Sequence, residues 1–204
     1  MASQRFLLIT LLLLLILTGC SVSNDPARIH FRQLQMGIVT EDTSYAYSLP
    51  YKPNTTHQLV QGYFSRYSHR NRAALDFKMK RGTDVHAARG GVVVRMKEDG
   101  VKGGWNRKYR PEGNFIVIQH DDSSRAGYWH LQPQGVLVNA GDTVQQGQLI
   151  GISGKTGYAL FPHLHFLVWR NSRDGRWQQI ATRFKTSKGI IYLRPFRRYK
   201  NKQP

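Results

Sequence analysis

"VNAGDTVQQGQLIGISGKTG", residues 138–157, carries two turn pairs, Gly141-Asp142 and Gly147-Gln148, with Val138, Val144 and Ile150 at apolar positions between them. Punctuation this close leaves no room for a helix of ordinary length and predicts a tight meander of short β-strands. The pattern extends upstream through "GGVVVRM" (90–96), "GNFIVIQH" (113–120), "GYWHL" (127–131) and "GVLV" (135–138). Each is an apolar run rich in β-branched or aromatic residues that opens on glycine. No part of 62–196 holds a helical period over three turns. The expectation is one all-β domain over 62–196, an antiparallel β-sheet or sandwich of short strands with glycine-rich turns. At roughly 130 residues it is long enough to bury a core of its own.

The first twenty residues, "MASQRFLLITLLLLLILTGC", read as an export leader. Arg5 supplies the positive start, and the apolar stretch from Phe6 to Leu17 is shorter than the about 20 residues a spanning helix needs. Leu17-Thr18-Gly19-Cys20 resembles the bacterial lipobox, which implies removal of 1–19 and acylation of Cys20. Ser21 and Val22 follow with no aspartate, which resembles an outer-membrane address. Cys20 is the only cysteine, so no internal disulfide can form, and stability must come from packing or a metal. Residues 20–61 hold turn formers such as Asp25-Pro26 and Pro53-Asn54 without a sustained period and read as a tether or lead-in. Residues 197–204 read as a basic tail.

Removing Arg5 with the leader lowers the formal charge by one, from +18 to +17. So basic a chain favours a polyanion, and nucleic acid is the usual candidate. An exported protein is not expected to meet it. The acidic partners outside the cytoplasm are peptidoglycan, anionic lipid head groups and surface polysaccharides. The charge gathers at Arg66, Arg70 and Arg72, and again at Arg194, Arg197, Arg198, Lys200 and Lys202.

In "FPHLHFLVWR" (161–170), residues two apart on a strand project from the same face, so His163 and His165 share one space while Leu164 points the other way. Such a pair suits two metal ligands, or one ligand with a catalytic group beside it. Partners are at hand: His69 and Asp76 flank a short linker in "SHRNRAALDF", and His130 ends "GYWHL". Hydrolytic zinc commonly takes three nitrogen or oxygen ligands and keeps a fourth position open. His69, Asp76 and His165 complete such a set, leaving His130 and His163 for proton handling and charge stabilisation.

These motifs, with "FSRYSHRNRAALDFKMKRGTDVHAARGGVV", "GNFIVIQHDDSSRAGYWHLQPQGVLVNAGDTVQQGQLIGISGKTG" and "PHLHFLV", resemble the lysostaphin-like, LytM-type zinc metallopeptidases that cut peptide bonds in peptidoglycan. The resemblance covers about residues 60–170. It implies zinc held by His69, Asp76 and His165, with His130 and His163 as catalytic histidines. It also implies peptidoglycan as the substrate, while the lipobox resemblance implies a membrane partner through the lipid anchor and the export leader leaves no nucleic acid expected. A regulatory protein partner is left unnamed. Members that have lost ligands act as wall-binding scaffolds or as activators of other hydrolases, and that role is the alternative here. A basic polyanion-binding module with incidental histidines is a third reading.

Many members place three residues and a glycine between the first histidine and the aspartate; here Arg70 to Leu75 intervene without glycine. That insertion forms a small loop beside the metal or loosens the site. His57, His86 and His120 compete as ligands, but His57 lies in the lead-in, His86 takes a position usually held by a bulky residue, and His120 ends a strand as a structural or supporting group. Asp84, Asp121 and Asp122 read as turn residues. Tyr128, Trp129, Phe161 and Trp169 read as packing in preference to a substrate groove.

Overall fold

The computed structural model describes residues 25–36, 38–39, 45–65, 67–172 and 174–202. The leader, Cys20 and Arg66 lie outside the described residues. The chain opens with α1 (Pro26–Met36), β1 (Ala46–Tyr47), β2 (Thr56–Gln61), β3 (Ala74–Lys78), β4 (Asp84–His86) and β5 (Gly91–Lys97). After β6 (Gly103–Gly104) a 3-10 helix (Arg107–Glu112) leads into β7 (Asn114–Gln119), β8 (Arg125–Val136), β9 (Thr143–Val144), β10 (Leu149–Ser153) and β11 (Gly157–Tyr158). The last strands are β12 (His163–Asn171), β13 (Trp177–Ile180), β14 (Arg183–Thr186), β15 (Gly189–Ile191) and β16 (Arg198–Lys200).

The main sheet runs β16-β2-β3-β12-β8-β7-β5-β9, with β10 against β4 and β8 and β13 against β12. Every pair in it is antiparallel, as the closely spaced turns require. The meander at 138–157 forms β9 and β10, and its turn glycines Gly141 and Gly147 sit at φ +97° and +83°, where side chains are disfavoured. The two parallel pairs, β1 with β14 and β11 with β6, are two-residue bridges.

Alternation builds the core. Leu75 and Phe77 of β3 and Leu164 and Phe166 of β12 are fully buried, and their neighbours Asp76, His163 and His165 take the opposite face. Phe166 meets Tyr128, Tyr47 and Phe184 at ring distances of 5.2, 6.2 and 5.8 Å, joining the main sheet to the small sheet β1-β14-β15. Burying each such ring contributes about 1.5–3 kcal/mol.

Two segments differ from the sequence expectation. The lead-in is packed rather than a plain tether: Phe31 and Leu34 of α1 are buried, and so are Tyr47, Leu49 and Tyr51. Asp25-Pro26, read as a turn, starts the helix. Asp25 Oδ1 accepts from the Ala27 N–H at 2.9 Å, and Pro26 takes the first helical position, where no N–H is needed. The basic tail is likewise tied down. β16 pairs with β2, Tyr199 is buried, and the Asn201 amide donates to the carbonyls of Leu49 and Tyr51.

Candidate metal centre

Register brings the first pair together. β3 and β12 run antiparallel with His165 directly opposite Asp76, so both side chains leave the same face. His165 Nδ1 lies 2.8 Å from Asp76 Oδ1. His69 arrives from the turn before β3, and its Nε2 lies 3.3 Å from the same oxygen. One ligand atom from each of the three falls within 4.8 Å of the other two. His163 Nε2 stands just outside, 3.7 Å from Asp76 Oδ1.

The long His69–Asp76 loop is not loose. The Arg72 N–H donates to His69 O at 3.0 Å, and the Phe64 N–H donates to Arg72 O at 3.0 Å. Gln61 fastens the rest, a residue that sequence reasoning missed. Its Nε2 donates to Asp76 Oδ2 (2.8 Å) and Ser68 Oγ (2.9 Å), while its Oε1 accepts from Ser65 Oγ (2.9 Å) and the Ser68 N–H (3.1 Å). A single amide thus holds one carboxylate oxygen of Asp76 and the loop that delivers His69. The other oxygen is left to face the histidines. A glutamine at the end of a polar strand gives no local signal of this role; only the β2–β3 register, irregular between Leu59 and Gln61, sets it opposite Asp76.

His130 reaches the cluster by a β-bulge. The register between β7 and β8 shifts so that Asn114 pairs Leu131 and Phe115 pairs Trp129, leaving His130 as the extra residue at φ +67°. That conformation costs a non-glycine residue on the order of 1–2 kcal/mol. It swings the ring to 4.7 Å from His163 and 5.8 Å from His165, centre to centre. His130 Nδ1 lies 2.7 Å from Thr156 O and His163 Nδ1 lies 2.8 Å from Phe161 O. A carbonyl only accepts, so both Nδ1 atoms carry the proton and both Nε2 atoms keep a lone pair. Thr156 is itself fixed, donating to Leu131 O and accepting from the Asn114 N–H.

Burial pushes the His130 pKa down to about 3, helped by His163 and His165. Burial also lowers His165, against the pull of Asp76. Burial alone would raise the Asp76 carboxyl, but His163, His165 and His69 outweigh it and hold the group well below the usual carboxylate range. At neutral pH the centre therefore holds an ionised carboxylate with His130 and His165 uncharged. Such a donor set attracts a divalent cation.

Among the described residues three histidines present a buried Nε2 without a hydrogen-bond partner: His69, His86 and His120. Only that of His69 faces a carboxylate and a second imidazole. His86 and His120 are anchored elsewhere, Nδ1 donating to Gly147 O (2.8 Å) and Gly90 O (2.7 Å). His57 lies against Tyr51 and donates to Lys78 O. Asp121 and Asp122 pair with Arg89, and Asp84 lies in β4, so none of these joins the cluster. Among the aromatics Tyr128 is core, its hydroxyl accepting from the Ala88 N–H. Trp129, half-buried, packs among rings: it stacks on Phe115, meets Trp169 edge-on and lies 6.1 Å from His165.

The unpartnered, buried Nε2 of His69 and the two-nitrogen, one-oxygen donor set fit zinc. A family model described as Peptidase family M23 matches residues 70–176. The peptidoglycan DD-endopeptidase ShyA of Vibrio cholerae is 41% identical over 91 residues, 45% of this chain and 18% of that protein. The glycyl-glycine endopeptidase ALE-1 of Staphylococcus capitis is 36% identical over 119 residues, 58% of this chain and 30% of that protein. The solved catalytic domain of lysostaphin from Staphylococcus simulans is 32% identical with a TM-score of 0.42, covering 67% of this chain and 89% of that one. The chain spans less than a third of the length of these two curated relatives.

Proposed function

The chain belongs to peptidase family M23, and from that premise we propose that it is a zinc-dependent endopeptidase hydrolysing peptide bonds of bacterial peptidoglycan. His69, Asp76 and His165 would hold the metal, which supplies Lewis acidity for amide hydrolysis when bound. The observation that carries the reading is the pair of imidazoles beside that set, His130 and His163, each locked through Nδ1 to a backbone carbonyl.

His163 Nε2 lies 3.7 Å from Asp76 Oδ1 and the His130 ring lies 4.7 Å from that of His163, so both imidazoles border the space where a scissile peptide would lie. A neutral imidazole takes a proton at Nε2 from attacking water; once protonated it donates that proton to the leaving nitrogen or a hydrogen bond to the oxyanion. Burial keeps His130 uncharged, so its Nε2 lone pair is free to accept a proton. Gln61 keeps the Asp76 carboxylate from rotating. Trp129, Trp169 and Phe115 form an apolar wall beside His165 that limits water on that side.

The test is His165→Ala on purified cell wall. It should lose bound zinc and release new amino termini at least about 10³-fold more slowly than the parent, with an unchanged far-UV spectrum. Wall digestion at the parental rate would overturn the assignment. The relatives carry different bonds in their names, and mass spectra of the released fragments identify the one cut here.

The same proposal extends to address. The lipobox resemblance at Leu17–Cys20 supports acylation of Cys20 and residence at the outer membrane. Among the described residues, no helix is long and apolar enough to cross a membrane. Metabolic labelling with a fatty acid should mark the parent and leave Cys20→Ala unlabelled.

A further inference from the structure

Residues 175–204 contain nine Lys and Arg and no Asp or Glu. Folding draws five of them, Arg183, Lys188, Arg194, Arg197 and Arg198, around one cavity of about 830 Å³. The rest of its lining is largely apolar, with Leu34 and Met36 from α1 on one side and Ile190 from β15 on the other. It is lined by no carboxylate among the described residues. Among the described residues, Lys188, Arg194, Arg197 and Arg198 enter no ion pair.

The same segments expose large apolar side chains: Met36 is 63% exposed, Ile38 65%, Ile190 53% and Phe196 66%. Cations interspersed with exposed aliphatic and aromatic groups match the boundary of an anionic bilayer, where apolar side chains enter the acyl region and Lys and Arg meet phosphates. A purely acidic polymer would satisfy the charges but leave those four side chains in water. Chain geometry favours the bilayer as well. Pro26 follows Cys20 by six residues, which reach at most about 20 Å fully extended. A chain held at Cys20 therefore keeps α1, one wall of the cavity, near the membrane.

We propose that this face, built from α1, the β14–β15 hairpin and β16, docks on an anionic phospholipid surface. It shares no residue with the metal centre, which stays free to meet the wall. The inference rests on the membrane address proposed above and is independent of the peptidase reading.

The test is hydrogen exchange of the full chain on vesicles of phosphatidylglycerol with phosphatidylethanolamine, and on vesicles of phosphatidylcholine alone. Neutral vesicles hold the chain through its anchor only, so failure to bind them counts against the anchor. The difference between the two vesicle types tests the face. Amides of α1 and of residues 188–198 should exchange about 10-fold more slowly on the anionic vesicles, while β12 serves as the internal control. The charge reversal Lys188→Glu/Arg197→Glu/Arg198→Glu should abolish that slowing with β12 unchanged. If the triple variant does not fold, Ile190→Ser should weaken the slowing severalfold. Equal exchange on both vesicle types overturns the proposal. So does slowing by soluble polyglutamate without slowing by vesicles, which would assign the face to an acidic polymer.

Discussion

The metal centre and the cavity beside α1 are opposite solutions to placing polar groups in one fold. At the centre, Asp76 meets His69, His163, His165 and Gln61, none of them Lys or Arg, and its polar atoms are buried and fixed by short contacts. Around the cavity, four cations stand exposed and, among the described residues, enter no ion pair. Among the described residues no Lys or Arg forms an ion pair with Asp76, and Arg70 and Arg72, on the loop that follows His69, stand exposed. A guanidinium beside Asp76 would neutralise the carboxylate that a divalent cation needs, so segregation is a condition for the site. The lesson is that net charge alone does not locate the chemistry, which buried geometry defines.

The largest effect expected separates histidines that belong to the centre from those that only fill the fold. His120 is buried outside the cluster, and burial pushes its pKa down to about 4 against an unfolded value of about 6.5. Between those values the unfolded chain binds the proton and the native one does not, so stability falls as pH drops from 6.5 to 4. The loss from this group is about 3 kcal/mol. Urea unfolding at the two pH values should show His120→Gln losing correspondingly less than the parent. Equal losses would place the acid sensitivity in the centre itself.

A smaller effect sets the two regions directly against each other. Gln61→Ala removes the amide that holds Asp76 Oδ2 and the His69 loop, and should weaken zinc binding about 10- to 100-fold in a chelator competition. Arg197→Ala, on the cavity rim, should leave zinc affinity unchanged and stability within about 0.5 kcal/mol. If both variants bind zinc like the parent, Gln61 is structural only and the centre is less preorganised than its hydrogen bonds imply.

The smallest effect probes the bulge. His130→Gly and His130→Ala both delete the imidazole, but only glycine is at ease at φ +67°. The glycine variant should be about 1 kcal/mol more stable than the alanine one by thermal unfolding, the reverse of the usual order in a strand. Both should be inactive. The reverse ranking would mean the bulge relaxes once the ring is gone, and that the ring holds the strain in place.

Much of this molecule is legible locally. Glycine-opened runs of β-branched and aromatic residues announce the strands, and the period of two puts His163 and His165 on one face with Leu164 on the other. The helical start at Asp25-Pro26 was legible too, but the same dipeptide also signals a turn. With only Phe31 and Leu34 buried in a short helix, the apolar period is too weak to choose. The strand at 198–200 hides among cations because its single buried side chain, Tyr199, needs β2 beside it to register as a pattern.

By itself the sequence determined strand content, facing of the histidine pair, and the motif order that resembles the family. The tertiary structure decided which groups touch: Asp76 opposite His165, Gln61 behind Asp76, His130 turned inward by a bulge, and five separated cations gathered on one cavity. The physical reason is that strand pairing joins residues far apart in the chain. The Gln61–Asp76 and Asp76–His165 contacts span 15 and 89 residues. Register is set by burial of whole faces, which no short window of sequence contains.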